Sequence, residues 1–174
     1  EIRFYDSYYE AYVGFDSDEN ENRAFSILFN FITGANTLSD GSNNNQVDMT
    51  TPVKLDMTTP VKLDMTAPVK LDMTAPVKSS YSGMSFVMPA DFNPEIKPDS
   101  DRVEIKFVEP QKMAVISFSG FAGEKKSERK YKELEAVLID NGISFEDGYF
   151  TAVYNGPYTL PFLRKNEVWI KVKD

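Results

Sequence analysis

The residues of this sequence that most resemble a binding motif are the acidic residues near its start. In Asp16-Ser17-Asp18-Glu19-Asn20, oxygen-bearing side chains occupy the first, third and fifth positions, as they do in the first half of a calcium loop. Such a loop needs a glycine for its sharp turn and, at its end, a bidentate glutamate. Glu21 and Ile27 occupy those two positions here. The stretch therefore does not fit an EF-hand calcium site.

Two residue types that dominate metal and nucleophilic chemistry are missing from the chain. Its 174 residues include no cysteine and no histidine. This excludes disulfides, thiolate nucleophiles, Cys/His zinc sites, Ser-His-Asp triads and imidazole ligands. A metal or metallo-cofactor would be held by carboxylate, tyrosine, methionine or backbone oxygen, or by no protein ligand at all.

The remaining polar residues do not form a catalytic pattern. Acidic pairs such as Asp99/Asp101 and Glu146/Asp147 have no sequence neighbours that indicate a raised pKa or a substrate cleft. The sequence also lacks a glycine-rich phosphate loop. We therefore expect no enzyme of a conventional type.

The first half of the chain predicts a strand followed by a helix. Residues 2–15 alternate imperfectly and are rich in Tyr, Phe and Val, which is typical of a half-buried strand. Asp18 or Asn20 supplies an N-cap, and Gly34 ends the helix. A strand over 85–88 follows later. The apolar positions at helical spacing are Ala24, Phe25, Leu28, Phe29 and Ile32.

The second half of the chain predicts a similar combination of strands and one helix. Residues 103–108 and 113–118 predict two strands that pair as a hairpin, and a charged helix over 123–141 ends at Gly142. Strands over 149–154 and 167–172 close the chain. The order predicts an α+β fold: two similar halves, each with a helix on antiparallel strands, share one sheet or distorted barrel. We expect one domain over 1–174.

Charge and hydropathy limit the partners. The formal net charge is −8 and the sequence pI is about 4.7, so this acidic protein repels phosphate backbones and anionic headgroups. We expect neither nucleic acid nor a membrane surface as a partner, and no run of about 18 apolar residues indicates a membrane span. The chain begins at Glu1 without a methionine, so we leave the compartment open: cytoplasmic, or secreted if a signal peptide preceded Glu1.

A four-copy octapeptide repeat over 47–78 dominates the middle of the chain, and each copy ends in Pro-Val-Lys. Because eight is even, a strand through all copies keeps its faces: Leu, Met, the second Thr or Ala, and Val point one way, and Asp, the first Thr, Pro and Lys the other. We therefore expect a β insertion, with an Asp/Lys charge pair in each copy.

The repeat is too long for one strand of a small domain. Fully extended, it would span roughly 105 Å, against a radius of gyration of about 16 Å for a globule of this length. It must fold back, project or pair with another molecule. Sliding by one copy restores the same side chains to the same face, which favours strand exchange between protomers. Duplication tolerated as a surface loop is the plainer alternative.

Several short motifs occur in order across nearly the whole chain, and they include the Met-Thr-Ala-Pro-Val unit of the repeat. The stretches are Glu1-Ile2-Arg3-Phe4-Tyr5, Ala24-Phe25, Leu28-Phe29-Asn30-Phe31-Ile32-Thr33-Gly34-Ala35-Asn36, Met65-Thr66-Ala67-Pro68-Val69, Ser85-Phe86-Val87-Met88-Pro89, Phe118-Ser119-Gly120 and Arg164-Lys165-Asn166-Glu167-Val168-Trp169-Ile170. Taken together and in this order, they resemble the SOUL/heme-binding protein family.

The resemblance implies a pseudo-symmetric α+β fold that binds heme or another tetrapyrrole noncatalytically. The groove would lie near the first helix and the segment that enters Met-Thr-x-Pro-Val. Leu28 and Ile32 would line it, and Lys54 or a neighbouring basic group would meet a propionate. Similar proteins often carry two Met-Thr-x-Pro-Val units, whereas four abut here, so the copy at the family position is undecided.

Histidine ligation, proposed for some relatives, is impossible in this chain. Heme would be held mostly by apolar burial, with a weak thioether contact from Met49, Met57, Met65 or Met73, or with Tyr. Ordinary core packing is the alternative for each methionine and for Leu28 and Ile32. Around Glu167 and Trp169 we expect a structural role.

Two further functions remain open at the level of the sequence. One is a structural or self-assembling protein, forming a homo-oligomer or filament, in which the repeat strands of 47–78 pair between subunits. The other is a sensor of a different small hydrophobic ligand.

Overall fold

The computed structural model describes residues 1–15, 21–43, 45–47, 53–56, 82–155 and 158–173. Ten strands, two α-helices and one 3-10 helix lie in these ranges. In chain order they are β1 (Ile2–Tyr5), β2 (Tyr8–Gly14), α1 (Glu21–Ile32), β3 (Asn36–Thr37), β4 (Val53–Asp56), β5 (Gly83–Val87), β6 (Lys97–Pro98), β7 (Glu104–Val108), β8 (Gln111–Phe118), α2 (Glu124–Asp140), β9 (Phe150–Val153), the 3-10 helix (Pro161–Leu163) and β10 (Asn166–Lys171).

Eight strands form one antiparallel sheet in the order β1-β8-β10-β9-β4-β5-β2-β7. Its two halves match strand for strand: β4, β5, β2 and β7 in the first correspond to β9, β10, β8 and β1 in the second. β4 and β9 pair antiparallel where the halves meet. The small strands β3 and β6 form a separate pair. The predicted α+β fold with two similar halves is confirmed.

Each half buries the apolar side of one helix against its own strands. In α1, the buried residues Ala24, Leu28, Phe31 and Ile32 recur at helical spacing and pack against β2 and β5. In α2, Leu134 and Leu138 pack against β8 and β10. Gly34 (φ 128°) and Gly142 (φ 65°) follow the two helices with positive φ, as expected of helix stops. No helix among the described residues is long and apolar enough to span a membrane.

Two predicted strand arrangements are wrong, for one reason. The single strand expected over 2–15 is two strands: β1 pairs with β8 in the second half, whereas β2 pairs with β5 and β7 in the first. The hairpin expected between 103–108 and 113–118 does not form either, because β7 pairs with β2 and β8 pairs with β1 and β10. The reason is that two short links, between β1 and β2 and between β7 and β8, each carry the chain from one half of the sheet to the other.

The repeat contributes β4 to the centre of this sheet. β4 spans the junction between the first and second copies and pairs with β5 on one side and β9 on the other. Leu55 is buried and Val53 packs against the core under α1, whereas Lys54 points to the other face. The predicted alternation therefore holds for these residues. The rest of the repeat, apart from Val47, lies outside the described residues.

Candidate functional site

The chemistry of the described structure is concentrated on the side of the sheet away from the helices. Alternation along the strands places Val53, Leu55 and Val168 against the helices, and their neighbours on the opposite side. We call this opposite side the helix-free face. Its central side chains are Arg3, Tyr8, Glu10, Lys54, Phe150, Tyr154, Glu167 and Trp169.

A buried ion pair lies on the helix-free face in the first half. Lys54 is 2% exposed, and its Nζ lies 2.6 Å from Glu10 Oε2 and 3.1 Å from the Tyr8 hydroxyl. The ammonium also lies 4.6 Å from the centre of the Phe150 ring, a cation–π contact. Burial lowers the pKa of Lys54, but the charge of Glu10 and the hydrogen bonds to Glu10 and Tyr8 raise it further than burial lowers it. Lys54 therefore stays charged.

A small cavity opens beside this pair. Its volume is about 200 Å³, below the roughly 300–1,000 Å³ of typical small-molecule sites. Glu10, Lys54 and Phe150 line it together with a second ion pair, Lys171 Nζ to Glu146 Oε1 at 2.9 Å. Both cations therefore already have a carboxylate partner. The cavity is too small for a tetrapyrrole.

The second half buries its own carboxylate on the same face. Glu167 Oε2 accepts hydrogen bonds from the Tyr154 hydroxyl (2.6 Å) and Trp169 Nε1 (2.9 Å), and Arg3 Nη1 lies 3.0 Å away. Ser117 donates a hydrogen bond to the other oxygen at 3.2 Å. Burial raises the pKa of Glu167, but these hydrogen bonds, with Lys165 and the charge of Arg3, outweigh it and lower the pKa to about 2. This saturated carboxylate holds β1, β8, β9 and β10 together.

The flank of α1 beside β5 carries a half-exposed aromatic pair. Phe25 and Phe29 are 38% and 43% exposed, and their rings lie nearly parallel with centroids 6.0 Å apart. Phe25 also meets the buried Phe86 edge-on at 5.3 Å. Leu28 and Ile32, the predicted groove residues, are buried under the same helix. Contact of these two buried residues with a ligand stays a prediction.

A second exposed apolar surface lies on the loop between β9 and β10. Five large side chains on and beside this loop are more than half exposed, and the Arg164 guanidinium lies 4.4 Å from the Phe121 ring. We call this loop the 158–163 loop, and its exposed residues are Tyr158, Leu160, Phe162 and Leu163. Phe121, from the connection between β8 and α2, lies beside it.

The structure brings together only some of the predicted site residues. Leu28 and Ile32 share the core under α1, whereas Lys54 lies on the opposite, helix-free face. Met49, Met57, Met65 and Met73 lie outside the described residues. Among the described residues, no cluster of three or more acidic side chains is placed to hold a metal ion.

The residue that sequence reasoning missed is Glu10. It occupies a strand of otherwise apolar and aromatic residues, Tyr8-Tyr9-Glu10-Ala11-Tyr12. A lone carboxylate in such a strand signals a buried acid in need of a cationic partner. Lys54, a lone cation in the middle of a repeat strand, is the corresponding signal of a buried base in need of an anionic partner.

The eight-stranded sheet, with one helix packed on each of its two similar halves, defines a class of pseudo-symmetric α+β domain. The chain belongs to the SOUL heme-binding protein family, whose model matches residues 1–171. It is 33% identical over 94 residues to "Heme-binding protein 2" of Homo sapiens, a match that covers 52% of this chain and 45% of that protein. The chain thus spans less than half the length of this curated relative.

Solved structures share the architecture at low identity. An uncharacterized conserved protein from Listeria innocua is 13% identical, with a TM-score of 0.61 over 99% of this chain and 91% of that one. The C-terminal domain of EcmrR is 10% identical, with a TM-score of 0.61 over 100% of this chain and 96% of that one. These likenesses show the fold alone.

Removal of the Glu10 carboxylate should strongly destabilise the protein. Glu10→Gln leaves the Lys54 ammonium buried without an anionic partner, so we expect a loss of roughly 3–5 kcal/mol in the free energy of unfolding by urea denaturation. Glu104→Gln is the matched control on the same face, because its ion pair with Lys106 is largely exposed; its loss should stay below about 1 kcal/mol. Equal losses for the two variants would contradict the assignment.

Glu167 should make the fold acid-sensitive. Its pKa is lowered to about 2 from an ordinary 4.5, so its stabilisation is complete above about pH 4.5 and is lost as pH falls towards 2. The stabilisation is on the order of 3 kcal/mol. We expect the stability difference between wild type and Glu167→Gln, measured by urea denaturation at several pH values, to shrink over this window. A difference that stays constant from pH 5 to pH 2.5 would refute this linkage.

Proposed function

We propose that this chain binds heme or another tetrapyrrole noncatalytically, with the macrocycle packed on the flank of α1 beside β5. The observation that carries the proposal is the parallel, half-exposed pair Phe25 and Phe29, in a chain of the SOUL heme-binding family. Two stacked phenyl rings on a helix surface suit a flat, apolar ligand. The groove that the family resemblance implies would lie near the same helix.

The absence of histidine and cysteine sets how such a ligand is held. Binding rests on apolar burial, which contributes about 25 cal/mol per Å² of surface removed from water. A thioether from Met49, Met57, Met65 or Met73, or a tyrosine, adds at most a weak iron ligand. Lys54 is held by Glu10 and Tyr8 on the opposite face, so it is not the propionate partner of a ligand on α1.

A noncatalytic role fits the state of the two buried carboxylates. Glu10 is engaged by Lys54, and Glu167 by Arg3, Tyr154 and Trp169. A general acid or base must instead face a reacting group with a pKa near the working pH. The lowered pKa of Glu167 is the opposite of that requirement.

A hemin titration tests the site. We expect a shifted Soret band and quenching of Trp169 or tyrosine fluorescence, and roughly tenfold or greater weakening for Phe29→Ser because an apolar contact is lost. Phe162→Ser on the 158–163 loop is the matched control, also exposed and apolar, and should bind as wild type does. Without a strong iron ligand, iron-free protoporphyrin should bind within about tenfold of hemin.

Three outcomes would count against the site. An unshifted Soret band with unquenched fluorescence would remove tetrapyrrole binding altogether. Weakening by Phe162→Ser alone would move the ligand to the 158–163 loop. A preference for hemin over protoporphyrin above 100-fold would show that iron ligation, not apolar burial, dominates.

A second candidate function is self-assembly through the repeat strands of 47–78. It is favoured by β4, which shows that repeat sequence forms a strand paired on both sides. If the surplus copies pair between molecules, excision of residues 63–78 should reduce the oligomer to a monomer by light scattering. An unchanged assembly state after excision would eliminate this function.

A further inference from the structure

The β4 position holds a tetrapeptide that the chain contains three times. β4 is Val53-Lys54-Leu55-Asp56, and the same Val-Lys-Leu-Asp recurs at 61–64 and 69–72. The last copy differs, because Val77-Lys78 is followed by Ser79-Ser80. Three identical segments of one chain are therefore available for one place in the sheet.

Every side-chain contact of β4 that the structure describes depends on residue types shared by all three segments. Leu55 is 5% exposed in the core under α1, and Val53 packs against the same core. Lys54 makes the ion pair with Glu10. The backbone forms ladders with β5 and β9, which require no particular sequence.

A shift by one copy changes almost nothing around the strand. Eight residues is an even number, so Leu returns to the core and Lys to the helix-free face. The twelve-residue segments 49–60 and 57–68 differ at one position: Thr59 of the first segment corresponds to Ala67 of the second. The same strand contacts are available in each register.

We propose that the β4 position is a strand site that 61–64 and 69–72 occupy in exchange with 53–56, so the folded protein exists as three registers of one chain. The occupants come from the same chain because their short tether gives an effective concentration on the order of millimolar. The site recognises Val and Leu through core packing and Lys through the ion pair with Glu10.

Loop closure sets the balance between the registers. In the observed register, five residues (48–52) precede the strand and 26 residues (57–82) follow it. A shift of one copy changes these lengths to 13 and 18, and a shift of two copies to 21 and 10. Because closure entropy depends on the logarithm of loop length, each alternative is disfavoured by only about twofold.

Engineered disulfides test the exchange directly, because the chain contains no native cysteine. Val153 lies opposite Val53 in the β4–β9 ladder, so Val153→Cys is combined with Val53→Cys, Val61→Cys or Val69→Cys. We expect an intramolecular disulfide in all three double variants after mild oxidation. Val77→Cys, from the copy that lacks Leu-Asp, is the control and should remain reduced.

The other results of that experiment would overturn the proposal. A bond restricted to Val53→Cys would mean a single register. A bond with Val77→Cys as well would mean that chain motion alone explains the cross-links. A disulfide-linked dimer on a non-reducing gel would place the strand of a second copy in the site.

Stability measurements provide an independent test. Leu55→Asp removes one of three registers, so the unfolding equilibrium constant should change only about twofold. Leu134 is similarly buried (6% exposed) and lies outside the repeat, so no other copy can replace it. Leu134→Asp should therefore shift the unfolding equilibrium constant by orders of magnitude. The triple variant Leu55→Asp, Leu63→Asp, Leu71→Asp should be as unstable as that control. If Leu55→Asp alone is as destabilising as the triple variant, the proposal fails.

Discussion

The buried ion pair of Lys54 and Glu10 fixes the repeat strand in the middle of the sheet. Lys54 comes from β4 and Glu10 from β2, with β5 between them, so the contact ties three strands across one face. Leaving either charge alone in this position would carry a desolvation penalty of several kcal/mol. β4 is also the strand of the first half that pairs with the second half through β9. The junction of the two halves thus depends on a lysine supplied by the repeat.

The second half uses the same arrangement with different residues. Glu167 on β10 meets Arg3 on β1, and β8 lies between those strands and contributes Ser117 to the carboxylate. Each half therefore neutralises one buried acid with a cation from two strands away. Carboxylates engaged in this way hold strands together.

Local patterns in the sequence predicted the elements better than their pairing. The spacing of Leu28 and Ile32 and the stop at Gly34 were sufficient for α1, because a helix is fixed by residues a few positions apart. Strand partners are chosen by contacts distant in sequence, and for that reason β7 and β8 were wrongly paired as a hairpin. The link between Lys54 and Glu10 spans 44 positions, and only the shared face of the sheet reveals it.

Extra copies of the octapeptide are tolerable because of where they are inserted. The described strands β4 and β5 end and begin at Asp56 and Gly83, so added copies lengthen the stretch of sequence between two strands that pair with each other. Each doubling of a flexible loop costs only about 0.6 kcal/mol in closure entropy. Every added Val-Lys-Leu-Asp carries the same residue types that pack in the core and pair with Glu10 at β4. Duplication of a sequence with odd period would not have this property, because the side chains would change face with every copy.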